Sequence, residues 1–503
     1  MPVAFRQGLA AQGVSAAGET KARNGACASS RIQGGYAPDF ASAQRLSRIA
    51  LLSALALILS YVETMIPLPT ALPGVKLGLA NVAVVVALFC FDTKTAAAVS
   101  VVKVLAAGFL FGSPVMLAYS LGGTVLAFAS AALLAKVPGI SVVVVSMASA
   151  ILHNMGQIAV ACFMLGTPAI LISLPPLAVA ACITGALTGC VAASVVPGRV
   201  PGGTGLFGAL RNGSDNVSRG LASFGAKTQV GQAKNINKGK ESQARGSGFG
   251  VYCAGSTFAH KLDARIKILF VVLFFITAFA AHDIAGLALV GVATVLSLAS
   301  ARFSARNALR TLRPFVWLIV LVVVMDVLFN GSGAVLACAG PFAITQGGLA
   351  FAAESVTRFC CLMLGTAALM RTTSPTDLTE GVRSLLHPLA KLGLHVDNLA
   401  LALGMTFRFI PLFQTEFARL KAAQQARGAN FSGGVVARLG AYLSVFTPLF
   451  ASAFRRADAV AFAVQSRAFG AGSRSSLKEH HMRKADALVL CVSVIVLCLV
   501  LAL

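Results

Sequence analysis

The feature that most constrains this chain is a series of long apolar runs, most of them near the ~20 residues that a helix needs to cross a bilayer. They cover about residues 46–66, 75–91, 95–112, 114–135, 139–165, 169–196, 265–282, 284–300, 315–330, 346–371 and 485–503. Only helices and closed barrels satisfy their backbone hydrogen bonds in lipid, and these runs are too long for barrel strands. The sequence therefore predicts an all-α, polytopic helical membrane protein, with a six-helix bundle followed by a bundle of about five spans.

The composition agrees with a membrane protein and disfavours two other classes. Hydrophobic residues make up 57% of the 503 residues and charged residues only 12%. The net charge of +24 is spread over loops between apolar runs, which indicates the positive-inside bias rather than nucleic-acid binding. The eleven cysteines include no CxxC pair, so we expect neither a disulfide framework nor a metal site.

Changes in composition divide the chain into four parts. Residues 1–43 are predicted to be a disordered leader, 44–197 a six-span module, 198–258 a basic flexible linker and 259–503 a second membrane module. The distribution of lysine and arginine places the N-terminus and the linker in the cytoplasm and the C-terminus outside. The long amphipathic region 372–484 then lies in the cytosol or along the cytosolic face of the cell membrane.

Two arginines mark the ends of predicted helices in this amphipathic region. They occur in Ala426-Arg427-Gly428 and in Ser466-Arg467-Ala468, each between small residues. Cations favour helix C-termini through the macrodipole, so one such arginine has a structural explanation. Two similar tips favour docking into acidic grooves of a cytosolic partner. Pro448 is expected to kink the second helix or to mark a fresh start.

Polar side chains inside the six-span module indicate a binding site. An ionisable residue within a span is costly and by default marks a functional site. The candidates for substrate binding are Glu63, Lys76, Asn81, Lys103, His153, Asn154 and Gln157. Two alternatives remain open: Lys103 pairs with Glu63 only to hold the bundle together, and His153 is a packed, hydrogen-bonded histidine. The lysine, histidine and amides would suit an anionic or polar ligand.

Residues 260–503 resemble the transmembrane coupling (T) component of energy-coupling factor (ECF) transporters, a family similar to cobalt transport proteins. The resemblance rests on 262–267, Thr372-Thr373-Ser374-Pro375, 408–411 and the two arginine tips. It implies that the arginines engage a pair of ABC-type cytosolic ATPases. Arg427 and its neighbours match the family's Ala-Arg-Gly pattern, whereas the second tip keeps only the arginine.

The first module resembles the substrate-binding (S) components of these transporters, and in particular the Gx transporter family, also labelled heptaprenyl diphosphate synthase component I. The similar stretches are 73–81, Phe111-Gly112 and 153–157. Ala50 and Ala54 form a small-xxx-small pair that lets helices approach closely. The resemblance implies that this pair packs against the T component and that substrate sits near the outer face.

The resulting hypothesis is a fusion of substrate capture and coupling in an ATP-driven importer. The chain has no Walker A motif, so it is not expected to be an enzyme. We expect no catalytic residues and no cofactor in this chain, and expect ATP and Mg to be bound by the partner subunits. Two rivals remain. One is a membrane component of polyprenyl diphosphate synthesis, which the lack of adjacent aspartates disfavours. The other is an autonomous secondary transporter.

Overall fold

The structure is a computed structural model. The residues that it describes are 40–64, 78–111, 114–165, 168–196, 255–329, 333–339, 342–392, 396–467, 469 and 483–502. Residues 1–39 of the predicted leader, almost all of the predicted linker and Lys76 lie outside these ranges. Residues 40–43, which we predict as the end of the leader, are already helical.

The N-terminal block consists of six helices. They are α1 (Phe40–Thr64), α2 (Leu79–Cys90), α3 (Thr93–Phe111), α4 (Pro114–Leu134), α5 (Val142–Leu165) and α6 (Leu174–Val195), with a 3₁₀ turn at Pro168–Ser173 before α6. Each helix falls on one of the six predicted apolar runs.

The C-terminal block is also helical, with one short hairpin. Its helices are α7 (Phe258–Lys261), α8 (Ala264–Ala280), α9 (Ile284–Ser300), α10 (Ala305–Leu312), α11 (Val316–Phe329), α12 (Gln346–Arg371), α13 (Pro375–Leu386), α14 (Val396–Ala426), α15 (Val435–Gln465) and α16 (Lys484–Ala502). Strands β1 (Val335–Ala339) and β2 (Phe342–Thr345) pair antiparallel between α11 and α12. This hairpin is not among the elements predicted from the sequence.

The prediction of a polytopic helical membrane protein is confirmed. Among the described residues, eight helices are long and apolar enough to cross a membrane: α1, α3, α4, α5, α6, α12, α14 and α16. Helices α9 and α10, bent by 118° at their junction, would make a ninth as one broken span. The other predicted runs form helices of 12 to 17 residues, about 18–26 Å long at 1.5 Å per residue. Helix α14 is one of the eight helices that could cross a membrane, although the sequence predicts that residues 372–484 lie in the cytosol or along the cytosolic face of the membrane. The apolar part of that region is therefore larger than expected.

The helix ends in the C-terminal block follow local capping rules. The Asp263 carboxylate accepts from the Arg265 amide at 3.0 Å and caps α8, and the Ser374 hydroxyl accepts from the Asp377 amide at 3.1 Å and caps α13. Gly428, just beyond α14, has a φ of 87°, a conformation that glycine adopts without strain. Helix α15 continues through Pro448, so the expected alternative of a new helix start there is wrong.

Helix α1 joins the two blocks. It packs on α2 and α3 of its own block and on α14 and α15 of the other. These helices share one hydrophobic core, in which Phe413, Phe446 and Phe450 are among the largest fully buried side chains. A second core forms among α8, α9, α12 and α16 and includes Met164 from α5. The N-terminal block therefore contacts the C-terminal block on two sides.

Candidate functional site

One cavity in the N-terminal block brings together six of the seven residues proposed for substrate binding. It has a volume of about 390 Å³. Its lining includes Glu63, Asn81, Lys103, His153, Asn154 and Gln157. These residues come from four helices, α1, α2, α3 and α5, so the fold collects polar side chains that are far apart in sequence. The seventh, Lys76, lies outside the described residues.

Lys103 and Glu63 are held by different partners within this cavity. Lys103 is only 7% exposed, and its ammonium donates to the Asn81 side-chain oxygen at 2.8 Å. The Glu63 carboxylate accepts from the backbone amides of Gly78 at 2.8 Å and Leu79 at 3.2 Å. Glu63 thereby satisfies amides at the start of α2, which a carboxylate does well because the helix dipole is positive there. The Lys103 ammonium thus has a hydrogen bond to Asn81, and Glu63 attracts it electrostatically.

The α5 part of the lining depends on close packing against α4. His153 and Gln157, one turn apart, lie over Gly123. A Cβ atom on Gly123 would be 2.8 Å from Gln157 Cγ and 2.9 Å from His153 Cε1, closer than real contacts allow. Asn154 donates to the Leu177 carbonyl at 3.2 Å and ties α5 to α6. Glycine at position 123 is therefore what lets α5 bring its polar face into the cavity.

Sequence reasoning missed two parts of the lining. The first is a set of hydroxyls, which includes Tyr119, Ser120, Thr124, Ser146, Ser149 and Thr188. The Ser146 and Thr188 hydroxyls lie 2.9 Å apart and hydrogen-bond α5 to α6. Spacings of three and four residues place Ser146, Ser149 and His153 on one face of α5, so periodicity could have found them. The second part is apolar and comes from α11 of the C-terminal block.

Ala50 and Ala54 lie fully buried on α1. The Thr406 hydroxyl of α14 donates to the Ala50 carbonyl at 3.2 Å. Toward the start of α1, the Gln44 amide donates to the Asp458 carboxylate of α15 at 3.0 Å. Small side chains thus allow α14 to approach the backbone of α1 itself.

The two arginine tips stand at the ends of α14 and α15. Arg427 follows the last residue of α14, Arg467 lies two residues beyond α15, and both are exposed. Neither guanidinium has a hydrogen bond or ion pair with any residue that the structure describes. Their neighbours Ala426, Gly428 and Ser466 are exposed as well, and Ala468 lies outside the described residues. The tips therefore present positive charge that no described carboxylate neutralises.

Contacts between α14 and α15 fix the helices that carry the tips. Arg456 Nη2 donates to the Glu416 carboxylate at 2.8 Å. Closer to the Arg427 tip, the Tyr442 ring stacks on Phe417 with centroids 6.3 Å apart and meets Phe431 edge-on at 5.1 Å. A polar and an aromatic contact together hold the pair in one arrangement.

The fold and these features define a multi-pass membrane protein with a polar cavity in one block and two cationic helix tips in the other. The profile of the family described as "Cobalt transport protein" matches residues 255–478. The profile described as "Heptaprenyl diphosphate synthase component I" matches residues 52–195. Each block therefore has a family match of its own.

Curated relatives agree over the C-terminal part. The "Energy-coupling factor transporter transmembrane protein EcfT" of Thermosediminibacter oceani is 38% identical over 239 residues, covering 47% of this chain and 90% of the relative. The protein of the same name from Bacillus subtilis is 34% identical, covering 44% of this chain and 84% of the relative. That from Brevibacillus brevis is 37% identical, with 49% and 94% covered. The chain belongs to the family of energy-coupling factor transporter transmembrane proteins, and it is a membrane component of an ECF transporter.

Proposed function

We propose that this chain combines capture of a small molecule with coupling to separate ATPase subunits in an ATP-driven importer. Residues 44–197 form the S-like substrate-binding module and 259–503 the T-like coupling module, with 1–43 and 198–258 as leader and linker. The N-terminus, the linker and the arginine tips lie on the cytoplasmic side. Two ABC-type ATPases bind ATP and Mg and dock on the tips.

The observation that carries this proposal is that the helices with the exposed arginines are the helices that hold α1. Helices α14 and α15 end in Arg427 and Arg467, and they share a core with the block that contains the cavity. A movement of the arginine tips would therefore be transmitted to the N-terminal block through the side chains of this shared core. Arginine suits such docking because its planar guanidinium binds carboxylates with two parallel hydrogen bonds.

The test is a charge reversal at the tips. Arg427→Glu, and more strongly Arg427→Glu with Arg467→Glu, is expected to abolish both ATPase co-purification and substrate uptake. Arg419→Glu and Arg455→Glu are matched controls, because both arginines are exposed on the same two helices away from the tips. Uptake that survives the double reversal would instead favour an autonomous secondary transporter.

The family match of residues 52–195 supports one alternative function, which is a role in polyprenyl diphosphate synthesis. The described lining of the cavity contains a single acid, Glu63, whereas holding magnesium diphosphate calls for clustered aspartates. A prenyltransferase assay on the purified chain distinguishes the two. Turnover without ATPase subunits would support the rival.

A further inference from the structure

We propose that the cavity is a composite pocket for a small organic anion, in which α11 of the C-terminal block forms an apolar wall and Lys103 binds the anionic group. This inference rests on the proposed function, in which the cavity holds the transported molecule.

The wall comes from one face of α11. Leu321, Val322 and Met325 all line the cavity, and their spacing of one and three residues places them together on the helix. Val322 is 6% exposed, whereas Val324 on another face of the same helix is 42% exposed. Helix α11 also contacts the 3₁₀ turn at Pro168–Ser173, whose Ile170 lines the cavity. The coupling block thus helps to shape the pocket.

The charge within the lining favours an anion. The Lys103 ammonium has three N–H donors, and one of them binds the neutral amide of Asn81. The only described acid in the lining, Glu63, already accepts two backbone amides at the start of α2. Glu63 offsets part of the positive charge of Lys103 electrostatically. A buried ammonium with N–H donors beyond its bond to Asn81 is nevertheless stabilised by an anion that accepts them.

The rest of the lining favours an organic molecule over an inorganic ion. Thr124 Oγ1 is buried in the lining and has no hydrogen-bond partner among the described residues. A ligand group that hydrogen-bonds to the Thr124 hydroxyl would satisfy it, whereas a buried hydroxyl without a partner costs free energy. The apolar wall needs an apolar portion of ligand to cover it, and about 390 Å³ is within the range of small-molecule sites.

The first experiment tests the charge of the ligand. The full chain in lipid nanodiscs would be titrated with 3-phenylpropionate, 3-phenylpropanol and 3-phenylpropylamine, which share a shape and differ in charge. We expect saturable thermal stabilisation by the anion alone, with an affinity at least tenfold lower in Lys103→Met and unchanged in Lys261→Met, which removes an exposed lysine. Equal stabilisation by the amine, or no saturable effect of any phenylalkanoate, overturns the inferred ligand class.

The second experiment tests the α11 wall with a series from phenylacetate to 5-phenylvalerate. Leu321→Ala enlarges the pocket and should shift the preferred length upward, and Val322→Phe should shift it downward. Val324→Phe makes the same kind of change on the exposed face and should leave the preference unchanged. Should Val322→Phe fail to fold, the Leu321→Ala shift alone decides. An unchanged preference in the folded wall variants overturns the composite pocket but leaves the arginine-tip test of the proposed function untouched.

Discussion

At the scale of single residues, Glu63 does structural as well as electrostatic work. Its carboxylate accepts the amides of Gly78 and Leu79 and so fixes the start of α2, the helix that carries Asn81. Asn81 in turn positions the ammonium of Lys103. The orientation of the ammonium therefore depends, through α2 and Asn81, on the acid that also attracts it electrostatically.

This arrangement gives a prediction for Glu63. Glu63→Ala leaves two amides without their acceptor and should lower the free energy of unfolding by about 1–3 kcal/mol, whereas Glu63→Gln keeps an oxygen acceptor and should lower it less. Thermal unfolding in detergent measures both variants. An equal loss in the two would show that the charge of Glu63, and not its capping of α2, is what matters.

Gly123 gives a second residue-scale prediction. In Gly123→Ala, the new methyl group meets Gln157 and the backbone of His153, so α4 and α5 must separate; we expect a loss of about 1–3 kcal/mol. Gly291→Ala is the matched control, because a Cβ atom on this helical glycine of α9 meets nothing within 4 Å. The control should be neutral or stabilised by up to about 1 kcal/mol. A neutral Gly123→Ala would contradict the close packing of α4 and α5.

The cavity residues predicted from the sequence are all polar side chains in or near apolar spans, where polar groups are costly. That physical rule was sufficient to select Lys103 and His153. The lining hydroxyls escaped it, because a serine or threonine can bond a carbonyl of its own helix and is therefore not costly within a span. Thr184, for example, donates to the Ala180 carbonyl at 3.0 Å. Such residues are common in membrane helices and give no signal of their own.

At the scale of elements, α14 and α15 behave as a pair held at two points. The Glu416–Arg456 ion pair is one, and the aromatic cluster of Phe417, Phe431 and Tyr442 is the other. Lys421 also lies over the Phe431 ring, 5.4 Å from its centroid. These contacts keep the spacing of the arginine tips constant.

A double-mutant cycle tests whether the Glu416–Arg456 ion pair holds α14 and α15 together. Glu416→Ala and Arg456→Ala should be non-additive, with a coupling of about 0.5–1 kcal/mol, because both side chains keep partial contact with solvent. The exposed Arg427, eleven residues beyond Glu416 and so about 16 Å away along the helix axis, supplies the control cycle with Glu416→Ala, which should be additive. Additivity in the Glu416–Arg456 cycle would show that the ion pair does not hold the helices together.

Element boundaries could be predicted where a local rule dominates. Ser374 with Pro375 fixes the start of α13, and Gly428 fixes the end of α14. Pro448 shows the limit of such rules, since packing of the surrounding buried aromatics keeps α15 helical through it. The hairpin of β1 and β2 was missed because its strands are short, and a Gly340-Pro341 dipeptide between two apolar stretches was its signal.

At the scale of the whole molecule, α1 determines how the blocks are joined. It belongs to the N-terminal block in sequence but is buried against α14 and α15 of the other. A single sequence indicates which face of a helix is apolar and not which distant helix covers it. For the same reason the α11 wall of the cavity could not be predicted.

Cleavage of the chain between the two blocks tests whether the packing of α1 on α14 and α15 holds them together. With a protease site introduced into the predicted linker, the cleaved blocks should still co-elute, because the shared core holds them together. Ala50→Leu with Ala54→Leu overpacks that core and should separate them, whereas Ala159→Leu, on an exposed face of α5, should not. Size-exclusion chromatography after cleavage gives the answer. Separation of the unmodified blocks would contradict the packing of α1.

The alanines of α1 have a consequence for motion. Ala43, Ala50 and Ala54 are all fully buried, and a methyl group has no rotamer to change when its surroundings shift. Larger interlocking side chains would hold neighbouring helices in one register and would have to disengage before the helices could tilt. Along the line of Ala43, Ala50 and Ala54, α1 presents methyl groups in place of such side chains. The residues that let α14 approach the backbone of α1 therefore add no interlocking side chain at that contact.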